Sequence, residues 1–445
     1  MKHFPCSPLV RQALLSALHT SRRRFLAGIV LAGLTGATSG QGAVWTVDDT
    51  GGADFIDIQE AVDAASDGDL ILVREGCYSA LTISGKSLTI QADAPPGTVE
   101  ILNPFFITGE AISVSSITVG QQVVLRGLTT FIVAFTENEI ASGVSDCDGP
   151  VLFEDCQLVN VSGIALEIDN AASVTLQRCT VDAGLDQYDA FINEYLQRTA
   201  LTVTDAKVFL HETTVQGSLG PDAQQQIFGP VSPPGAGGIG ILAASNVQLS
   251  AFGSTITGGA GGSGTVDFCF DGRDGGDAIR CDATCTVRLR DTLAQAGTGG
   301  AGGPGCGLAD GVDGIDLNGP PASFETLTGT AHEFEITSPV RESENVTITY
   351  TGAPGDLAFL AVSDSLRPGF YLPARQSVLH MGPFLQILSL GPLPASGTRQ
   401  LNILVPDLGT GVEALTFVCQ MALLDSGGAL SLTGPSSVIY LDQGL

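Results

Sequence analysis

DFIDIQEAVDAASDGDLILVREGCY, residues Asp54 to Tyr78, holds a helix, a turn and a strand in that order. Ile56, Ile58, Ala61, Val62 and Ala65 recur at helical spacing. Asp67-Gly68 marks a tight turn, and Leu70-Ile71-Leu72-Val73 is an uninterrupted apolar run of strand length.

Downstream, a pattern V-x-L-x-x-[C/T] returns along the chain. It reads Val151-Leu152-Phe153-Glu154-Asp155-Cys156, Val174-Thr175-Leu176-Gln177-Arg178-Cys179, Val208-Phe209-Leu210-His211-Glu212-Thr213 and Val287-Arg288-Leu289-Arg290-Asp291-Thr292, with looser copies from Val123 and Val247. The third positions fall at 125, 153, 176, 210, 249 and 289, one coil apart or one coil plus an inserted loop. Residues i and i+2 point inward, two polar residues turn a corner, and the Cys or Thr points in again. A single coil cannot bury its own apolar face, so the coils must stack, about 4.8 Å apart. Cys156 and Cys179 then become stacked neighbours in the interior, read as an inward ladder of small fillers. The helix–turn–strand segment at Asp54–Tyr78 resembles the N-terminal cap and first coil of the pectate-lyase-like and pectin-esterase-like solenoids. That resemblance implies a right-handed parallel β-helix with a helical cap, over 44–321.

Within 235–314, glycine repeats at a second level. Gly258-Gly259-Ala260-Gly261-Gly262 matches Gly299-Gly300-Ala301-Gly302-Gly303, and Asp271-Gly272-Arg273-Asp274-Gly275 matches Asp310-Gly311-Val312-Asp313-Gly314. These read as long loops leaving successive coils on one side, with Cys269 and Cys306 at equivalent places. From about Ala322 glycine thins. Strand-like runs follow at Glu333–Ile336, Val346–Tyr350, Leu357–Val362, Phe384–Leu390, Leu401–Val405, Leu415–Leu423 and Ser436–Leu441, predicting an antiparallel β-sandwich over 322–445.

Ser21-Arg22-Arg23-Arg24-Phe25-Leu26 matches the twin-arginine export pattern, and the apolar run after it is too short to span a membrane. Residues 1–43 read as a removable signal, leaving no spanning segment in the mature chain. Its removal takes Lys+Arg from 19 to 14 against 47 Asp+Glu, a net charge of −33. Such an acidic chain excludes nucleic acid, whose phosphates need basic patches, and repels polyanionic glycans unless cations intervene. The expected location is periplasmic, cell-surface or extracellular. Nine cysteines remain in an oxidising compartment, so at least one stays unpaired within the chain; Cys281 with Cys285, and Cys147 with Cys156, are close enough for local bridges.

Three groups carry candidate chemistry. Coil alignment stacks Asp155, Arg178 and Glu212 at one corner with His211 beside them, a candidate catalytic set for a polysaccharide lyase or glycoside hydrolase. The same stacking also describes a ladder of opposite charges that neutralise one another. Tyr188 and Tyr195, on a neighbouring loop, are candidate ligand-binding residues. Asp271, Asp274 and Asp277, like Asp310, Asp313 and Asp316, recur every third residue and offer hard oxygen ligands for calcium, although Asp-Gly turns also explain them. Gly264-Thr265-Val266-Asp267-Phe268 resembles the pectin-esterase strand whose Asp is the nucleophile, and Arg290-Asp291-Thr292-Leu293 resembles the segment carrying its acid/base Asp. Their order is reversed here, so those roles are not carried over.

The reading is an exported protein whose solenoid binds a glycan or surface partner, or serves a structural role, without catalysis. The alternative is a polysaccharide-active enzyme at the Asp155/Arg178/His211/Glu212 corner. β-Helices host both, so the fold does not choose.

Overall fold

The computed structural model describes residues 42–102, 109–132, 140–160, 163–184, 188–189, 194–195, 198–225 and 231–445. The expected signal therefore lies, up to residue 41, outside the described residues. Three parallel sheets wrap a right-handed solenoid. Sheet A has ten strands, from Val44–Val47 to Phe324–Thr326; sheet B has eight, from Gly76–Tyr78 to Leu293–Gln295; sheet C has eight, from Leu81–Ser84 to Leu317–Asn318. The solenoid thus runs to Thr326, slightly past the expected boundary at 321.

The cap helix spans Ile58–Ala64. Asp57 caps it by accepting the Gln59 amide at 2.9 Å, and Ile58, Ala61 and Val62 are buried on the first coils. Ile56 precedes the cap residue and stays exposed. At the other end, Lys86 Nζ donates to the carbonyls of Val62, Asp63 and Ala65 at 2.7, 3.0 and 2.9 Å, occupying acceptors the helix leaves open.

The repeat occupies sheet A. Leu125, Phe153, Leu176 and Leu210 stack in register and point into the core. The next partner is Ala251, not Leu249, so the looser copy starts two residues later than its pattern indicates. A slip of two preserves inward alternation, and periodicity alone does not detect it. The A-to-B corner is one left-handed residue per coil: Gly127, Asp155, Arg178, Glu212, Gly253 and Asp291 have φ of 75°, 55°, 52°, 52°, 58° and 48°. The inward residue after it donates to the coil before, as in Cys156 Sγ to Leu125 O (3.4 Å), Cys179 Sγ to Phe153 O (3.3 Å) and Thr213 Oγ1 to Leu176 O (3.1 Å).

The C-terminal region is a sandwich of a three-stranded and a five-stranded sheet, closed over Phe334, Ile348, Tyr350, Leu360, Met421 and Val438. All seven expected strands are present. A hairpin of Leu366–Leu372 and Ser377–Met381 was not foreseen. The sandwich lies along the flank of the solenoid, on the outer face of sheet A. Leu70 and Leu72 meet Ala414, Ile439 and Leu441; Val124 and Leu152 meet Leu366, Met381 and Val418; Phe209 and Phe252 meet Val378. Alternation along Leu430–Leu441 divides its residues, with Val438 and Tyr440 facing the sandwich core and Ile439 and Leu441 facing the solenoid. Sheet A is therefore buried on both faces, which is why its strands read as unbroken apolar runs.

The glycine-rich loops form a second ordered body. The amides of Gly217, Gly220 and Ala223 donate to Thr257, Ala260 and Ser263; those of Gly258, Gly261 and Gly264 donate to Gln295, Thr298 and Ala301. Returning segments repeat this, with Gly272, Gly275 and Ala278 donating to Ala309, Val312 and Ile315. A step of three residues per bond is the period of a polyproline II helix. Outgoing and returning layers bond to each other as well, as in Gly259 to Gly238 and Gly276 to Gly259. Glycine is required because a Cβ at Gly259 would lie 1.7 Å from the Ser218 carbonyl oxygen, and one at Gly276 1.8 Å from that of Gly238.

At the bundle tip Cys269 and Cys306 form a disulfide. The local bridges expected from sequence proximity do not form: Cys147, Cys156, Cys281 and Cys285 are separate buried thiols. Cys147 and Cys156 lie on strands of different sheets or at their ends, so nearness in sequence misleads in a coil that turns between them.

Candidate functional site

The structure gathers the expected corner residues, but beneath the sandwich. The completely buried Glu154 carboxylate sits 2.7 Å from Arg178 Nη2 and 3.4 Å from Arg126 Nη1. Asp155 pairs with the same two guanidinium groups, at 2.7 Å to Arg178 Nε and 3.0 Å to Arg126 Nε. The sandwich completes the seam. Arg178 Nη1 donates to Phe334 O at 2.7 Å, Arg126 Nη2 to Ile336 O at 2.7 Å, and Arg126 Nη1 to Ser437 O. Glu154 accepts from Ser436 Oγ and from the Ser437 amide (2.8 Å). Burial pushes the Asp155 carboxyl upward, yet the two arginines outweigh it and hold it below the usual range. Burial likewise pulls on Arg178, but Glu154 and Asp155 keep its guanidinium firmly charged.

Glu212 is the fourth corner residue. Burial raises its pKa to about 7, partly offset by Arg178 and by the 3.0 Å hydrogen bond from Gln177 Nε2. It also accepts the Phe334 amide at 3.4 Å. His211 points into the interface, with its Nε2 3.1 Å from that of His380 in the sandwich. Burial lowers the His211 pKa to about 3 and His380 well below its ordinary value, so the pair is neutral. Phe252 stacks on His211, and Phe209 meets His380 edge-on. A raised carboxyl beside histidines is a frequent signature of catalysis. Here Arg178, His211 and Glu212 are each bonded to the sandwich, while Asp155 pairs with the two arginines and keeps its side chain 32% exposed.

Tyr188 and Tyr195 pair across a two-residue antiparallel ladder, Tyr188 with Tyr195 and Asp189 with Glu194; their side chains lie outside the described residues.

Each expected calcium ligand instead accepts a backbone amide. Asp271, Asp274 and Asp277 take those of Ala309, Val312 and Ile315 at 2.9, 2.8 and 2.8 Å. Asp310, Asp313 and Asp316 take Gly302, Gly299 and Ala296 at 2.8, 2.8 and 2.7 Å. The second trio serves the last outgoing segment, whose amides have no following coil to supply carbonyls. Among the described residues no group of three or more His, Cys, Asp or Glu side chains is arranged to hold a metal ion. Asp267 sits in the disulfide-linked tip, whereas Asp291 is a corner residue accepting the Ala331 amide at 3.0 Å.

Two features escaped sequence reasoning. On the uncovered face of sheet C, Glu110 lies over Gly143, where a Cβ would come within 2.1 Å of its Oε1. Gly143 pairs with Glu167, and Ser145 with Asp169. Burial, then Asp169 and Glu110, raise the Glu167 pKa. The signal was present as a glycine in the strand Ile140–Cys147 opposite an outward carboxylate, but the copies on this face share no motif. The second feature is a cleft of about 1140 Å³ between the C-to-A corners and the sandwich.

No protein family and no curated protein matches the chain. Among solved structures, pectate lyase Pel9A is similar at a TM-score of 0.30 and 11% identity over 57% of this chain and 77% of its own. A variant of the PL6 family alginate lyase AlyGC gives 0.27 and 13%, covering 66% of this chain and 39% of its own. The PmoD soluble domain of Methylocystis sp. gives 0.17 and 9%, over 26% and 94%. At these scores none of them informs the activity. No helix of the described residues is long and apolar enough to cross a membrane.

Proposed function

We propose that this is an exported, non-catalytic β-helix protein that binds a glycan or a cell-surface partner. The observation that carries the reading is the fate of the A-to-B corner: Arg178, His211 and Glu212 are bonded to the sandwich, and Asp155 is held between Arg126 and Arg178. The Cys269–Cys306 bridge fits an oxidising compartment. The test is a polysaccharide panel, incubated with the mature protein and read for unsaturated uronates by absorbance and for new reducing ends. The expected result is no turnover.

A second reading rests on the Glu110, Glu167 and Asp169 cluster. A carboxyl with a raised pKa beside other carboxylates on an open face is the pairing that glycoside hydrolysis uses. Release of reducing ends that is lost in Glu167→Gln would replace the first reading with this one.

A further inference from the structure

We infer that two copies of this chain associate through the free side of the sandwich, with Phe384–Pro392 of one copy pairing with the same strand of the other.

Each sheet of the sandwich has one edge fastened and one edge free. The fastened edges are Phe334–Ile336 and Val340–Arg341, three and two residues long. Both are held by the solenoid: Phe334 O and Ile336 O accept from Arg178 and Arg126 at 2.7 Å each, and Arg341 Nη2 lies 2.6 Å from Asp93 Oδ2. The free edges are Phe384–Pro392 and Thr398–Leu404, nine and seven residues long. Their ladders run only to Leu357–Ser363 and Asn345–Thr351 respectively. Beyond its own sheet, Phe384–Pro392 receives one donor among the described residues. Arg399 Nη1 donates to Leu390 O at 2.8 Å and to Pro392 O at 3.3 Å, tying the two long edges together. Short or covered edges resist pairing with other chains, whereas a long bare edge is a template for it.

The apolar side chains on the free side are left open as well. Phe384, Ile387 and Leu404 are 46%, 38% and 60% exposed. Leu385, Leu388, Leu401 and Ile403 pack against the sandwich core but are only partly buried. The core is thus unfinished where the two long edges meet. A strand laid along Phe384–Pro392 would extend the ladder and cover these side chains in one step.

Charge identifies the occupant. The chain carries a net charge of −28, so two copies repel each other over most of their surface. Residues 382–406 hold a single charged side chain, Arg399, and it is already turned onto backbone carbonyls. Edge strands are commonly guarded by charges, and this one is bare in a chain with 47 Asp and Glu. A basic partner would find no carboxylate here to bind. What matches an uncharged edge is another uncharged edge, and this side is its own complement. A twofold axis at Ile387 pairs Phe384–Pro392 antiparallel with its copy, sets Ile387 opposite Ile387, and closes the assembly at two chains. The five-stranded sheets of the two copies then form one continuous sheet.

The experiment is sedimentation velocity of the intact protein over about 1–100 μM. A dimer is expected. Ile387→Asp and Ile387→Lys each set like charges face to face across the axis, and each should raise the dimer dissociation constant about tenfold or more, with wild-type melting behaviour of the monomer. Mixed in equal amounts, the two variants should dimerise again, because each then meets the opposite charge. Val266→Asp, at the exposed bundle tip, should dimerise as the wild type does. Amide exchange over 384–391 should be slow in the wild type and fast in Ile387→Asp. The inference is overturned if the wild type stays monomeric throughout that range, if the charged variants dimerise unchanged, or if their mixture remains monomeric. A monomer that instead captures an added strand peptide along Phe384–Pro392 would also overturn it, assigning the edge to a different chain.

Discussion

Stacked carboxylates occur in two regions of this molecule, and the coils deal with them in opposite ways. At the A-to-B corner Glu154, Asp155 and Glu212 meet arginines and the backbone of a second domain. In the glycine-rich bundle six aspartates accept backbone amides of neighbouring segments, Asp277 also pairing with Arg280 and Asn318. A solenoid repeats its residues at one spacing, so acids line up whatever their purpose. Which donors face them decides whether the row becomes a domain joint, a capped edge or a site. The corner has donors from another domain and becomes a joint. The bundle end has orphan amides and becomes a cap.

The largest break of this comparison removes the joint's second half. Deleting residues 327–445 uncovers Leu72, Val124, Leu152 and Phe209 on the outer face of sheet A. A contiguous apolar sheet face of that kind drives association. The truncated protein should aggregate on expression, as read by size-exclusion chromatography and light scattering. A soluble monomer would mean that the sandwich is not needed to cover sheet A.

Within the intact chain, Glu154→Ala is the sharpest single change. It leaves Arg126 and Arg178 with only the partly exposed Asp155 between them, and removal of one partner from a buried charged set costs about 3–5 kcal/mol. Denaturant unfolding should show that loss. A cost near zero would place the seam among surface pairs, which contribute little.

The joint also has a pH signature. Glu212 has a folded pKa of about 7 against an ordinary value of 4.5. Its folded pKa is raised, so its contribution is complete below 4.5 and is lost as pH rises through 7. Glu212→Gln, which cannot ionise, should gain on the wild type across that window, by about 3 kcal/mol at pH 8. His211 acts in the other direction: its folded pKa of about 3 lies below 6.5, so its contribution holds above 6.5 and fades as pH falls toward 3. Parallel melting curves for Glu212→Gln and wild type from pH 4 to 8 would show that Glu212 is solvated rather than sealed in the joint.

The architecture was legible because it rests on local signals. Asp57 to Val73 carries a cap, helix spacing and a buried strand in one stretch, and the V-x-L alternation marks each coil of sheet A. The corner stacking of Asp155, Arg178 and Glu212 also followed from alignment. What covered that corner did not. The docking hairpin at Leu366–Leu372 contains Pro368 and Gly369, which mask its strand character, although Gly369 is what lets Phe209 pack so closely. One clue was available: Leu72, Val124, Leu152 and Phe209 are apolar at outward positions, which a solvated solenoid face does not favour. The bundle was hidden for another reason. A three-residue period in glycine looks like flexible loop until the amides of neighbouring segments are seen to be three apart. The disulfide followed the same logic, since Cys269 and Cys306 are distant in sequence and adjacent only once the segments stack.

The bundle can be disturbed without touching the joint. A Cβ at Gly259 would overlap the Ser218 carbonyl, so Gly259→Ala must force two packed segments apart. Overpacking of this kind costs about 1–3 kcal/mol. The expected outcome is increased amide exchange confined to 217–223, 235–240 and 258–264, with sheet A protection unchanged. Exchange that spreads into sheet A would show the two regions to be one cooperative unit.

The smallest effect separates a cap from a cation site. Asp313 accepts the Gly299 amide at the open edge of the last outgoing segment. If capping is its role, Asp313→Ala leaves one partly exposed amide to water and costs about 1 kcal/mol. Asp313→Asn, which keeps an acceptor oxygen, should recover most of that loss, because the amide needs a lone pair rather than a charge. Calcium and chelator should leave the melting temperature of all three proteins where it was. A calcium-dependent rise in the wild type that Asp313→Ala loses and Asp313→Asn weakens would instead assign the trio to the metal, since the number of ligand charges sets calcium affinity.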